Sequence, residues 1–88
     1  MKAWITKYAL TEGIFVVDGD LHSDRMLCYR RGSDWEQYAH GEGKDWHRTE
    51  ISAITRAEQM RQAKIASLRR SIQKLEGLTF DSKPEPTK

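Results

Sequence analysis

The apolar positions along this chain of 88 residues follow two different periods, and the change falls near residue 48. Before it, apolar and aromatic residues come in short runs divided by glycine and aspartate. Residues 3–10 (Ala-Trp-Ile-Thr-Lys-Tyr-Ala-Leu) are rich in aromatic and β-branched types and predict a strand. Thr11-Glu12-Gly13 predicts a turn, and Ile14 to Val17 a second strand, so that 3–17 is expected to form a hairpin. The second run is apolar on both faces, as a covered strand would be. Asp18-Gly19-Asp20 interrupts it. Met26 to Arg30 predicts a third strand, closed by Gly32-Ser33-Asp34, and Trp35 to Ala39 a fourth, ended by Gly41-Glu42-Gly43. Turns spaced in this way fit an antiparallel meander.

From Thr49 onward the period lengthens to that of a helix. Ile54, Ala57, Ile65, Leu68, Ile72 and Leu75 fall on one helical face, with Ile51 and Met60 at its flanks. Thr49 suits the N-cap and Glu50 the first turn, where a carboxylate meets the positive end of the helix dipole. Lys74 suits the last turn. Gly77 stands where a C′ glycine belongs, with Leu78 placed to fold back on Ile72. The chain therefore reads as α+β: a three- to four-stranded antiparallel sheet over 1–48, then one long C-terminal helix over 49–77. Residues 1–80 are expected to form a single domain. Residues 81–88, with Pro84 and Pro86 among charged residues, are expected to be a disordered tail.

The helix is longer than the sheet that precedes it. Some 28 helical residues span roughly 42 Å, against about 17–20 Å for a strand of ordinary length. The first half, through Ile54 and Ala57, is expected to pack on the sheet while the second half overhangs. The overhang spaces Ile65, Leu68, Ile72 and Leu75 at +3, +4, +3, a short coiled-coil-like seam whose first expectation is a homodimer, with a fold-back onto its own domain and a foreign partner as the alternatives. A parallel dimer would set Lys64 beside Arg69 of the other chain, so an antiparallel or crossed pairing is favoured.

Composition adds limits. At 38% hydrophobic and 32% charged, with no apolar run of membrane-spanning length, the chain is expected to be cytoplasmic with no membrane partner. One cysteine, Cys28, allows no internal disulfide and suggests a reduced thiol. The net charge of +2 is uneven: residues 1–48 carry 7 Lys/Arg against 8 Asp/Glu, whereas 49–77 carry 6 against 3. This makes Arg56, Arg61, Arg69 and Arg70 a candidate basic face, with nucleic acid as a second candidate partner.

Candidate chemistry is sparse. His22, His40, His47 and Cys28 show none of the short spacings of a zinc site. Asp18, Asp20 and Asp24 lack the ligand pattern of a calcium loop, and Gly41-Glu42-Gly43-Lys44 lacks the full phosphate-loop spacing. No cofactor, metal or catalytic constellation is expected. The aromatics all precede residue 47 except Phe80. Most should fill the core of so small a domain. Trp35, Trp46 and Arg48 are the best candidates for a partner-binding surface, or, for the last two, for pinning the helix to the sheet.

Two segments carry a resemblance. Trp4-Ile5-Thr6-Lys7-Tyr8-Ala9-Leu10-Thr11-Glu12-Gly13-Ile14 is one. Gly43-Lys44-Asp45-Trp46-His47-Arg48-Thr49, leading into Arg56 to Arg61 and Lys64-Ile65-Ala66-Ser67-Leu68, is the other. Together they resemble a family of small phage and prophage proteins. The resemblance spans most of the chain outside 18–42 and the tail, and brings no active site with it. It implies a setting inside a bacterial host cell. By analogy it implies a non-catalytic accessory protein that binds and blocks or adapts a host protein complex, such as a defence system of the CRISPR kind.

Overall fold

The computed structural model describes residues 1–32, 35–82 and 84–86. Five antiparallel strands form one curled sheet: β1 (Lys2–Ile5), β2 (Phe15–Leu21), β3 (Met26–Tyr29), β4 (Gln37–His40) and β5 (Trp46–His47). Their order across the sheet is β4-β3-β2-β1-β5. The long helix follows, so the α+β expectation holds. The fifth strand was not foreseen; the sequence predicted three or four. A short helix, α1 (Ala9–Glu12), lies between β1 and β2, and the long helix is α2 (Glu50–Glu76).

The expected strand over 3–10 ends at Ile5. Tyr8 to Glu12 forms instead a single helical turn, closed by Glu12 N donating to Tyr8 O (2.8 Å) and stopped at Gly13, whose φ of 79° needs glycine. Ala, Leu and Glu are good helix formers, and this turn finds α2 to lean on. The hairpin of β1 and β2 is therefore real in its pairing, Lys2 with Asp18 through Ile5 with Phe15, but it is joined by a helical turn.

β2 belongs to two ladders. Residues 15–18 pair with β1 and residues 19–21 with β3. The hand-over falls at Gly19, where a Cβ would lie 2.8 Å from the carbonyl oxygen of Cys28. Glycine allows the close approach that lets the strand bend from one side of the curl to the other. Further along, β4 and β5 occupy opposite edges of the sheet yet are joined by residues 41–45 alone. Gly41 (φ 87°) and Gly43 (φ 85°) make that connection tight, with Asp45 N donating to Gly41 O (2.9 Å) and Gly43 N to Trp46 O (2.8 Å). A connection so compact brings the two edges together, so the sheet curls toward a barrel. The turn expected at Gly41-Glu42-Gly43 to end the fourth strand is thus also the turn that closes the sheet. The expected turn at Gly32-Ser33-Asp34 falls largely on residues 33 and 34, outside the described residues.

The interior of the curl holds Ala3, Ile5, Val17, Leu27, Tyr29, Ala39 and Trp46, with Phe15 against them. Ala3 and Ile5 alternate with the outward Lys2 and Trp4, as the pleat requires. Trp46 is fully buried, and its indole Nε1 donates to Arg25 O (2.9 Å), which ties β5 to the loop before β3.

α2 starts as the sequence predicts. Thr49 Oγ1 accepts from Ser52 N (3.3 Å), and Glu50 and Lys74 occupy the first and last turns. Its end differs: Gly77 is right-handed (φ −84°) rather than left-handed, and Leu78 stays 52% exposed, so no fold-back onto Ile72 covers it. The radius of gyration is 20.5 Å, against about 12 Å for a compact domain of this length. The largest extent is 66 Å, which reflects the overhang. The expected disorder of 81–88 falls in part on residues 83, 87 and 88, outside the described residues.

Candidate functional site

The face of α2 that meets the sheet shares Ala57, and at its edge Ile54, with the face the sequence pattern marks, and is centred to one side of it. Ala53 is fully buried, and Arg56, Ala57 and Met60 are partly covered. α2 rests through these residues on α1, β5 and β1. Ile54, expected to pack on the sheet, is 47% exposed. At about 100° per residue, Ile54, Ile65, Leu68, Ile72 and Leu75 centre roughly a quarter turn away from the packed face. Small alanines let the helix backbone approach the sheet, and the bulky aliphatics are turned aside. Leu68, Ile72 and Leu75 are 50%, 52% and 66% exposed, and Ile65 is half-buried. These aliphatic side chains are therefore exposed on one side of α2, and Ile54 and Ile51 are exposed earlier in the helix.

A second apolar surface lies at the start of α2. Trp4 and Val16 are cross-strand partners on the outer face of β1 and β2. With Ile14, Glu50 and Ile54 they line a shallow groove of about 210 Å³. Ile51, beside it, is 80% exposed. Apolar residues thus line the outer sheet face with the start of α2, and line α2 again from Ile65 to Leu75; between them the Glu58–Arg61 ion pair lies on the same side of the helix. The accessible surface of the chain is 7231 Å², against about 5,300 Å² for a compact monomer of this mass.

The other candidates are scattered. Trp46 cannot contact a partner, because it is sealed inside the curl. It serves the pinning role that was its alternative, as part of the strand that α2 rests on. Arg48 lies over the Trp46 ring (5.4 Å to its centroid) and donates through Nε to Glu42 Oε2 at 2.6 Å. Trp35 is 91% exposed. Arg61 pairs with Glu58 (3.1 Å) on the helix surface. Arg56 is half-buried, with its Nε enclosed and unpartnered among the described residues. At the helical repeat, Arg56 and Arg70 share a side of α2 but stand about 21 Å apart along it, while Arg61 and Arg69 point to other sides. They make no continuous basic stripe.

A polar cluster that the sequence did not reveal fastens the start of α2. His47, buried on β5, bonds Ser52 Oγ through Nδ1 (2.7 Å) and Thr6 Oγ1 through Nε2 (3.1 Å). Thr6 Oγ1 donates to Lys44 O (2.7 Å), so it accepts from His47 Nε2–H. Nδ1 is then the acceptor for the Ser52 hydroxyl. Burial, and next the Arg56 guanidinium, hold the His47 pKa below its ordinary value, which favours this neutral tautomer. The Ser–His contact joins β1, β5 and α2 and has no carboxylate to orient it as a base. A signal was present in the Trp-His-Arg-Thr sequence, yet nothing in the spacing 6, 47, 52 could be read without the pairing of β5 with β1.

Beside this cluster lies an open polar cavity of about 480 Å³, lined by Asp24, Arg25, Glu42, Arg48, Thr49 and Ser52 among others. It carries both signs of charge, and its Arg48 and Glu42 already satisfy each other. Cys28 bonds the Glu36 carboxylate, and that bond, with burial and the carboxylate charge, pushes the thiol pKa up to about 11. A thiol held protonated in this way is a poor nucleophile at neutral pH. Among the described residues no group of three or more His, Cys, Asp or Glu is placed to hold a metal ion. No helix among them is long and apolar enough to cross a membrane. No protein-family model, curated protein or solved structure matches this chain.

Proposed function

We propose that this chain is a non-catalytic binding protein that acts by occupying a surface of a bacterial host protein complex, in the manner of a phage or prophage accessory inhibitor. The observation that carries the binding reading is the set of large aliphatic side chains that α2 and the outer sheet face leave exposed: Val16, Ile51, Ile54, Leu68, Ile72 and Leu75. Exposed apolar side chains gathered on one side of a molecule are a common mark of an interaction surface. The phage setting and the host target rest on the resemblance of residues 4–14 and 43–68. Blocking by occupancy requires area and shape, and no nucleophile or metal. Trp35, exposed on the loop before β4, is the residue proposed to meet the host protein.

The test is a pull-down from bacterial lysate with the tagged chain, run with and without nuclease. A discrete protein partner that survives nuclease, and is lost with Trp35→Ala while the circular dichroism is unchanged, supports the reading. A catch that disappears with nuclease overturns it in favour of a nucleic-acid-binding regulator that uses the α2 arginines.

A further inference from the structure

We infer that the His47–Ser52 bridge is a proton-sensitive latch, and that the start of α2 leaves the sheet when His47 takes up a proton. The inference stands apart from the binding reading, since it concerns how α2 is held and not what α2 meets. Three observations carry it.

The first is how little fastens a long helix. α2 rests on α1, β5 and β1, and Ala53 is its one buried residue. Among the described residues, the bond between His47 Nδ1 and Ser52 Oγ (2.7 Å) is the one side-chain hydrogen bond that joins α2 to the sheet. The bonds of Thr55 and Ser71 stay within the helix. His47 pairs with the outward Trp4, while the inward Ile5 pairs with Trp46. His47 therefore lies on the outer face of the sheet, and α2 is what covers it. With a largest extent of 66 Å, the molecule hangs a long lever on this short anchorage.

The second is the direction of the bonds. Thr6 Oγ1 donates to Lys44 O (2.7 Å) and so accepts from His47 Nε2–H (3.1 Å). Nδ1 is left to accept from the Ser52 hydroxyl. A second proton on the ring occupies Nδ1, which can then no longer accept. The Ser52 hydroxyl must turn round and lose its place as donor to the ring.

The third is the charge around the ring. His47 is 2% exposed, so a cation there is stripped of water. From α2 the Arg56 guanidinium faces it, with Nε enclosed and unpartnered among the described residues. The first turn of α2 adds the positive end of the helix dipole. Glu50, in that turn, lines the groove on the outer sheet face. β1 offers the uncharged Thr6, and the turn before β5 offers the Lys44 carbonyl and, further off, the Glu42 carboxylate. Glu42 is already engaged by Arg48 at 2.6 Å. Asp24 and Arg25, of opposite sign, line the neighbouring cavity. Among the described residues no carboxylate is hydrogen-bonded to the ring. Burial and Arg56 hold the His47 pKa below 6.5 while α2 is seated. Once α2 lifts, water reaches the ring and Arg56 leaves with its helix. Seating of α2 and uptake of the proton therefore oppose each other.

The experiment is the distance distribution between spin labels at Asp20→Cys on the sheet and Leu68→Cys on α2. It uses a Cys28→Ser chain diluted with unlabelled protein, between about pH 8 and about pH 5, with circular dichroism on the same samples. One narrow distribution is expected at the upper end. Below pH 6.5 a second, broad one is expected. Its weight relative to the first grows by at most about tenfold per pH unit, as uptake of one proton requires, and the dichroism stays unchanged. His47→Gln is expected to abolish the pH response, whether it leaves α2 seated or loose. Arg56→Met keeps an unbranched apolar stem without the charge, and is expected to reduce the growth and leave its onset in place. A single narrow distribution at every pH overturns the inference. So does a pH response that persists in His47→Gln, which assigns it to other groups. Loss of dichroism in step with the broadening also overturns it, because the whole chain is then unfolding.

Discussion

The two halves of α2 share one amphipathic pattern and meet opposite fates. Over Glu50 to Met60 the helix is held by a cap, by the His47–Ser52 bond, and by Ala53 seated against β5 and β1. From Leu68 to Glu76 no residue is buried. What separates the halves is side-chain size on the contact face. Alanine and the flexible Met60 allow close approach in the first half, while Leu and Ile in the second half have nothing of this chain within reach. Apolar periodicity therefore reports where a helix wants cover, and not whether its own domain supplies it.

The comparison can be broken most forcefully at Trp46. Trp46→Ala removes the largest fully buried side chain and its bond to Arg25. A loss of about 3–5 kcal/mol is expected, enough to unfold a marginal domain, and denaturant unfolding followed by circular dichroism reads it. Next comes Gly19→Ala. Its new Cβ would press on the Cys28 carbonyl at 2.8 Å, so a loss of about 1–3 kcal/mol is expected, measured in the same way. Thr49→Ala tests the anchored half alone, with about 1 kcal/mol expected from the lost cap.

Acid sharpens the same contrast. His47 is held neutral, with its pKa depressed in the folded chain. Its contribution is complete above the ordinary imidazole pKa of 6.5 and is lost progressively as pH falls from there toward the lower folded value. The melting temperature of the wild type should therefore drop through that window, and the drop should be smaller in His47→Gln. The smallest effect is expected in the overhang. Leu68→Asp should change the stability of the monomer by no more than about 0.5 kcal/mol, when measured at a concentration too low for association. A large loss there would show that the second half is covered after all.

The sequence made the helix legible because two independent signals, caps and period, agree on it. Thr49 and Glu50 are where the reading put them. The strands 26–30 and 35–39 lie within a residue or two of β3 and β4. The features that escaped depend on distant pairings. Trp46-His47 is too short to register as a strand, and becomes one only because β1 is there to pair with it. Tyr8 to Glu12 sat inside a run of strand formers, and its helical turn is stabilised by α2, some forty residues away. Ala57 was legible on the packed face of α2, but the fully buried Ala53 was not, because isoleucine outweighs alanine in any apolar pattern, whereas close packing prefers the smaller residue. Trp46 was offered as surface because a tryptophan beside an arginine resembles an interface, and its burial follows from the closure of the sheet at residues 41–45.

That closure also governs how the molecule can associate. A flat five-stranded sheet would present two rows of free backbone N–H and C=O groups, each a template for another strand. Here the outer strands are four and two residues long, and the turn between them draws them together. Neither is long enough to propagate strand-to-strand pairing from chain to chain. A chain that exposes many large aliphatic side chains on its helix is thereby kept from the strand-by-strand addition that builds a fibre.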